Sequence, residues 1–171
     1  IVNMQPLVIP GLLQTPDYIR AILSACGVSA ADMEVRVAAR LGRQALITRD
    51  KPPNLDFIID EFALRRQLLP TQALVRQLRH IVETTERPNV TVRVLPLSLG
   101  GHRGLDGSFM LLDFSKGKST VHVEHKISTF FLEEKHEIDF YREEVDKLRE
   151  AALDPDESVH FIGAIAQELD A

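Results

Sequence analysis

A single cysteine, Cys26, is all the thiol chemistry that the 171 residues contain. One thiol cannot close an internal disulfide, and no Cys/His framework with zinc-ligand spacing surrounds it. Tryptophan is absent and aromatic residues make up only 6% of the chain, which argues against the base-stacking platforms of single-strand binders. Positive charge is not in excess either, since 20 Lys and Arg against 25 Asp and Glu leave a net charge of -5. Phosphate neutralisation by basic side chains supplies most of the affinity for a duplex, so the fragment alone is not expected to hold nucleic acid. No apolar run approaches the roughly 18 residues needed to cross a bilayer. The first ten residues lack the cationic flank and small-residue cleavage site of a signal peptide. Together these absences point to a reducing, cytoplasmic setting with no membrane contact.

What is present is ordinary globular material. The hydrophobic fraction is 44%, enough for one domain over residues 1–171 with its own core. The chain starts at Ile1 rather than Met, and we expect a missing part upstream. The coarse order is helices, strands, helices. Thr15-Pro16-Asp17 supplies a hydroxyl cap, a proline at the first helical position and an acid at the positive helix end. This helix should stop at Gly27, with Tyr18, Ile22 and Ala25 inward. Ser29 and Asp32 open a second helix that reaches about Ile47, with Met33, Val37, Leu41 and Ala45 spaced by four. Lys51-Pro52-Pro53-Asn54 breaks the chain.

Leu55, Phe57 and Ile59 alternate with acids as in a strand. A helical turn follows over Glu61–Gln67, then a helix over Thr71–Thr85. Four strands come next: Val90–Val94, Gly107–Phe114, Thr120–His125 and Ser128–Glu133. The Lys116-Gly117-Lys118 turn and the short His125–Ile127 link favour hairpins. Ile138, Tyr141, Val145 and Leu148 mark a helical stripe. Asp154-Pro155-Asp156-Glu157 caps a last helix carrying Val159, Ile162, Ile165, Ala166 and Leu169. The expected fold is α+β, a small, mostly antiparallel sheet packed with N-terminal and C-terminal helices.

Residues that could carry chemistry are few. The Leu99–Gly107 stretch holds four glycines with His102, Arg103 and Asp106 between two strands. Such a loop is a flexible connection or a lid over a pocket. It lacks the spacing of a phosphate loop. On a strand, His122 and Glu124 share one face; two converging groups fall short of a metal site. A buried Glu124 would need a partner, and Arg93 is the candidate. Glu61 with Arg65 or Arg66 is a local ion pair or the polar rim of a ligand pocket. Phe109 follows the Gly107-Ser108 turn, which is not a nucleophile elbow. The candidate ligand-binding set is thus Glu61, Arg65, Arg93, His102, Arg103, Phe109, His122 and Glu124. No catalytic residue, metal site or cofactor is expected.

Several segments together carry a resemblance. They are residues 8–18 (Val8 to Tyr18, through Pro10-Gly11-Leu12-Leu13-Gln14-Thr15-Pro16), Arg40–Gln44, Asp60–Arg66, Gln77–His80, Pro88–Pro96 and Gly107–Phe109. In order and spacing the chain resembles the antitoxin-like domain of unknown function that follows the helix-turn-helix in actinobacterial, Streptomyces-type XRE regulators. The resemblance implies a regulatory domain that binds a small molecule or a small partner protein and controls DNA binding by an N-terminal helix-turn-helix absent from this chain. It implies no catalytic set. The segment from Pro10 to Pro16 is either a functional stretch or a turn, an apolar anchor and a helix cap, and the structural reading is preferred. Two other readings compete: a stand-alone, cyclase-like natural-product enzyme on the same fold, and a domain whose main task is to make the regulator a homodimer.

Overall fold

The computed structural model describes residues 1–171. Its elements are β1 (Val2–Gln5), α1 (Pro16–Ala25), α2 (Ala30–Gln44), β2 (Leu55–Asp60), α3 (Glu61–Arg65), α4 (Thr71–Thr84), β3 (Val90–Leu95), β4 (Phe109–Leu112), β5 (Thr120–Glu124), β6 (Thr129–Leu132), α5 (Lys135–Ala151) and α6 (Pro155–Asp170). One six-stranded sheet has the order β3-β2-β1-β4-β5-β6. The fold is α+β and the sheet mostly antiparallel, as expected, with β4, β5 and β6 forming the anticipated meander.

The remainder of the sheet differs from the helices-first order. The chain opens with a strand, and β1 lies in the middle of the sheet, parallel to β2 and antiparallel to β4. β2 and β3 are also parallel. Four residues are too short a run to announce a strand by periodicity, yet Val2 and Met4 alternate with Asn3 and Gln5 across the two faces. The β1–β2 and β2–β3 connections contain helices, as parallel neighbours require.

Helix ends follow local chemistry. Thr15 Oγ1 accepts from the Tyr18 amide and Gly27 ends α1 with a positive φ of 79°, a conformation that favours glycine. Asp154 and Glu157 form a reciprocal capping box on α6. The inner stripe of α1 is shifted from expectation: Tyr18, Ile19 and Leu23 are buried whereas Ala25 is exposed. A stripe read at a fixed interval takes no account of α1 packing on both α2 and α4. On α2 Val37 is buried; the helix ends at Gln44, and Ala45, in the 3-10 turn that follows, is exposed.

The sheet separates two cores. Phe57, Ile59, Val92 and Val94 pack with α4 and α6 on one face. Val2, Met4, Ile58, Leu111 and Val121 pack with Ile138, Val145 and Leu148 of α5 on the other. Over β1–β3 both faces are therefore filled. Over β4–β6 only the α5 face is: on the opposite face Met110 and His122 are half-buried, and Glu124 and Phe131 are exposed. No helix of the molecule is long and apolar enough to cross a membrane.

Candidate functional site

The carboxyl ends of parallel strands are where open sheets of this kind usually place their ligands. Here Asp60 and Glu61 stand at the end of β2, and the 97–107 connection leaves the end of β3. Asp60 caps α3 by accepting from the Phe62 amide at 2.7 Å. Its other oxygen lies 2.8 Å from His102 Nε2, with the two side chains only 9% and 4% exposed. His102 Nδ1 accepts from the Gly104 amide, so Nε2 carries the proton given to Asp60. Both ring nitrogens are thus engaged, and the ring has no lone pair free for proton transfer.

Both oxygens of Glu61 are engaged as well. One oxygen accepts from Arg65 Nε at 2.6 Å and the other from the Leu97 amide at 2.8 Å. Arg65 continues to Glu168 of α6 at 3.0 Å. Of the two arginines the sequence offered to Glu61, the structure selects Arg65. Arg66 instead stacks over Phe62, 4.4 Å from the ring centroid, and donates to Leu7 O. Arg103 pairs with Glu144 of α5.

The glycine-rich connection is anchored at His102 and Gly104. It winds into two short 3-10 turns, Leu97–Leu99 and Arg103–Asp106. His102 is drawn inside by Asp60, and Gly104 is packed so closely that a Cβ there would overlap Met4 Cε. The sequence shows the glycines but not the buried carboxylate that anchors the histidine between them. Two shallow clefts lie elsewhere. One of about 330 Å³ runs between α4, β3 and α6 beside Val82, Val90 and Val159. The other, about 250 Å³, is bordered by Leu12, Gln44, His80 and Arg87.

The expected pairing of Arg93 with Glu124 does not form. Three strands separate β3 from β5, and the two side chains lie on opposite faces. Arg93 belongs to the α5 face, 3.8 Å from Asp56, which Arg149 holds at 2.7 Å. Asp56 Oδ1 and Arg93 Nε are buried without a hydrogen-bond partner. Phe109 is in the α5 core, edge-on to Tyr141 at 4.9 Å. His122 and Glu124 do share a face, and His122 lies against Phe131 at 5.1 Å. The eight candidates therefore form no single site. Glu61, Arg65, His102 and Arg103 gather at the strand ends, His122 and Glu124 lie on the open half-sheet, and Arg93 and Phe109 lie on the α5 face.

A second polar assembly fastens the stretch that precedes α1. Gln14 Nε2 donates to Ile9 O at 2.6 Å, and Tyr18 Oη accepts from the Ile9 amide. Gln44 Nε2 donates to Gln14 O at 2.7 Å. Gln77 donates to Leu13 O and accepts from the Thr15 amide, both at 2.7 Å. Thus residues from the 8–18, 40–44, 60–66 and 77–80 segments all fasten the stretch from Leu7 to Thr15. Arg40 donates to Gln14 Oε1 at 2.9 Å and forms no ion pair. Burial, and then the nearby Arg43, pull its guanidinium below its ordinary value, while Cys26 and Glu124 pull it back. It stays charged, as guanidinium does in proteins. Sequence reading assigned Arg40 no role in a site. The signal it missed is the four-residue spacing of Arg40 and Gln44, which puts both on one side of α2.

The family described as "Domain of unknown function (DUF5753)" matches residues 1–164. No curated protein and no solved structure matches the chain.

Proposed function

The chain belongs to the DUF5753 family, and from that premise we propose that it is the recognition domain of a helix-turn-helix regulator of the actinobacterial XRE type. In this reading a small molecule or a small partner protein binds here and alters DNA binding by a domain that precedes it. The observation that carries the reading is Arg40. It is a partly buried cation hydrogen-bonded only to a neutral amide, with Glu124 of the open half-sheet among the charges that act on it. A partner carboxylate or phosphate would supply the counter-charge that the chain itself withholds. The strand-end groups are tied into the fold: His102 Nδ1 accepts from the Gly104 amide, and each Glu61 oxygen accepts one bond, from Arg65 and from the Leu97 amide.

The test uses the full-length protein from the native gene and the small protein encoded beside it. Arg40→Gln should weaken that complex about tenfold or more, the worth of a charge-assisted hydrogen bond. Arg36→Gln, on an exposed site of the same helix, should leave it unchanged. Equal binding by the two variants would overturn the role of Arg40. A native reading frame with no helix-turn-helix before Ile1 would overturn the regulator.

A further inference from the structure

The two edges of the sheet are treated differently. At the β3 edge, Val94 O accepts from the Leu153 amide at 2.9 Å and the Val94 amide donates to Ser158 Oγ at 3.0 Å. The chain entering α6 therefore covers that edge. At the other end β6 has a neighbour only on its β5 side. The His125 amide donates to Ser128 O, which makes Ser128, Phe130 and Leu132 the residues bonded toward β5. By the alternation of an antiparallel ladder, the backbone groups of Thr129, Phe131 and Glu133 point outward.

Natural edge strands usually carry lysine, proline or a bulge that prevents pairing with another chain. The strand Thr129-Phe130-Phe131-Leu132 carries none. Phe131 is 64% exposed and Phe130 49%, on opposite faces, and Ile127 in the adjoining turn is 94% exposed. We propose that β6 pairs antiparallel with β6 of a second copy of this chain, about a two-fold axis passing between the two Phe131 residues.

Symmetry and hydrogen bonding select that register. A two-fold axis relating side-by-side antiparallel strands must stand perpendicular to the sheet, so it passes between a residue and its own counterpart. Centring on Phe131 matches outward groups three times: Phe131 with Phe131, and Thr129 with Glu133 in both directions. Centring on Phe130 matches only two such pairs within the strand and its flanking residues 128 and 133. Charge agrees with the antiparallel sense. In this register Glu133 and Glu134 of one copy face Thr129 and Ser128 of the other, with the His125-Lys126 turn next beyond, whereas a parallel pairing would set acid against acid. The result is one continuous twelve-stranded sheet in which the open faces bearing His122 and Glu124 lie side by side.

This inference does not rest on the preceding one, because it is measured on this chain alone without partner or operator. Sedimentation of the wild-type chain should give twice its 19.2 kDa mass. Phe131→Lys, at an exposed position that leaves the core untouched, should raise the dissociation constant by about tenfold or more. In a Cys26→Ser background, Phe131→Cys should cross-link across the axis under mild oxidation, since directly opposed Cα atoms about 5.5 Å apart suit a disulfide. Val35→Cys, exposed on α2, should not. A wild-type monomer at several hundred micromolar, a dimer indifferent to Phe131→Lys, or equal cross-linking of both cysteines would overturn the proposal.

Discussion

Single side chains in this molecule act mostly by closing the hydrogen-bond accounts of irregular backbone. Tyr18 is fully buried, and its hydroxyl is the acceptor for the Ile9 amide. Tyr18→Phe keeps the ring packing and orphans that amide, so chemical denaturation should show a loss of about 1–3 kcal/mol. Burial also raises the Tyr18 phenol above its ordinary value, against a smaller opposing effect of the Ile9 amide. Burial raises Tyr141 as well, followed by the neighbouring Glu144. A raised folded value means that the folded state keeps its proton longer than the unfolded chain. The associated stability is fully present below about pH 10, the free phenol value, and is lost as pH climbs through the folded value. Tyrosinate absorbance should accordingly lag behind that of free tyrosine until the chain unfolds. Ionisation of both tyrosines near pH 10 with the fold intact would refute this.

Among elements, α4 shows how one helix positions another. Gln77 has no exposed surface, yet its side-chain amide ties Leu13 O, the Thr15 amide and the Thr15 hydroxyl to the helix. This bond set fixes where α1 starts and carries the start of α1 to the α4–α6 core. Gln77→Leu would fill the same space and strand two backbone groups, each worth about 1–3 kcal/mol. Equilibrium unfolding should therefore register a loss of at least about 2 kcal/mol. Gln72→Leu, whose exposed amide only reaches Asp170, should change stability little. If the two substitutions cost the same, the tie is not what holds α1. The short α3 is held comparably from outside: Asp60 caps it, and Arg65 bridges it to α6 through Glu168.

For the whole molecule the decisive element is β1. It joins the parallel β1–β3 half to the β4–β6 meander, and it contributes Met4 to the α5 core and the Asn3–Gln5 pair to the other face. The two cores are thus separate in space but share a backbone seam, and the native chain should unfold in one transition. Tyrosine fluorescence and far-UV circular dichroism, followed through urea, should give coincident curves. A chain begun at residue 6 should lose that coincidence or fail to fold, because β2 and β4 would each be left with an unpaired edge. Coincident curves for the shortened chain would show that the seam is dispensable. The paired edges proposed for β6 act at the same scale, extending the sheet beyond one copy.

The amino-acid sequence determined whatever depends on neighbours along the chain. Helix caps at Thr15, Ser29 and Asp154, the stop at Gly27, the hairpins around Gly117 and Lys126, and the stripes of α4, α5 and α6 all arise within a few residues, where bonding partners are set by spacing. Tertiary structure alone decided what depends on partners tens of residues apart. The place of β1, the turning inward of His102 to meet Asp60 and the separation of Arg93 from Glu124 follow from strand order, and strand order is set by which distant apolar faces must be buried together.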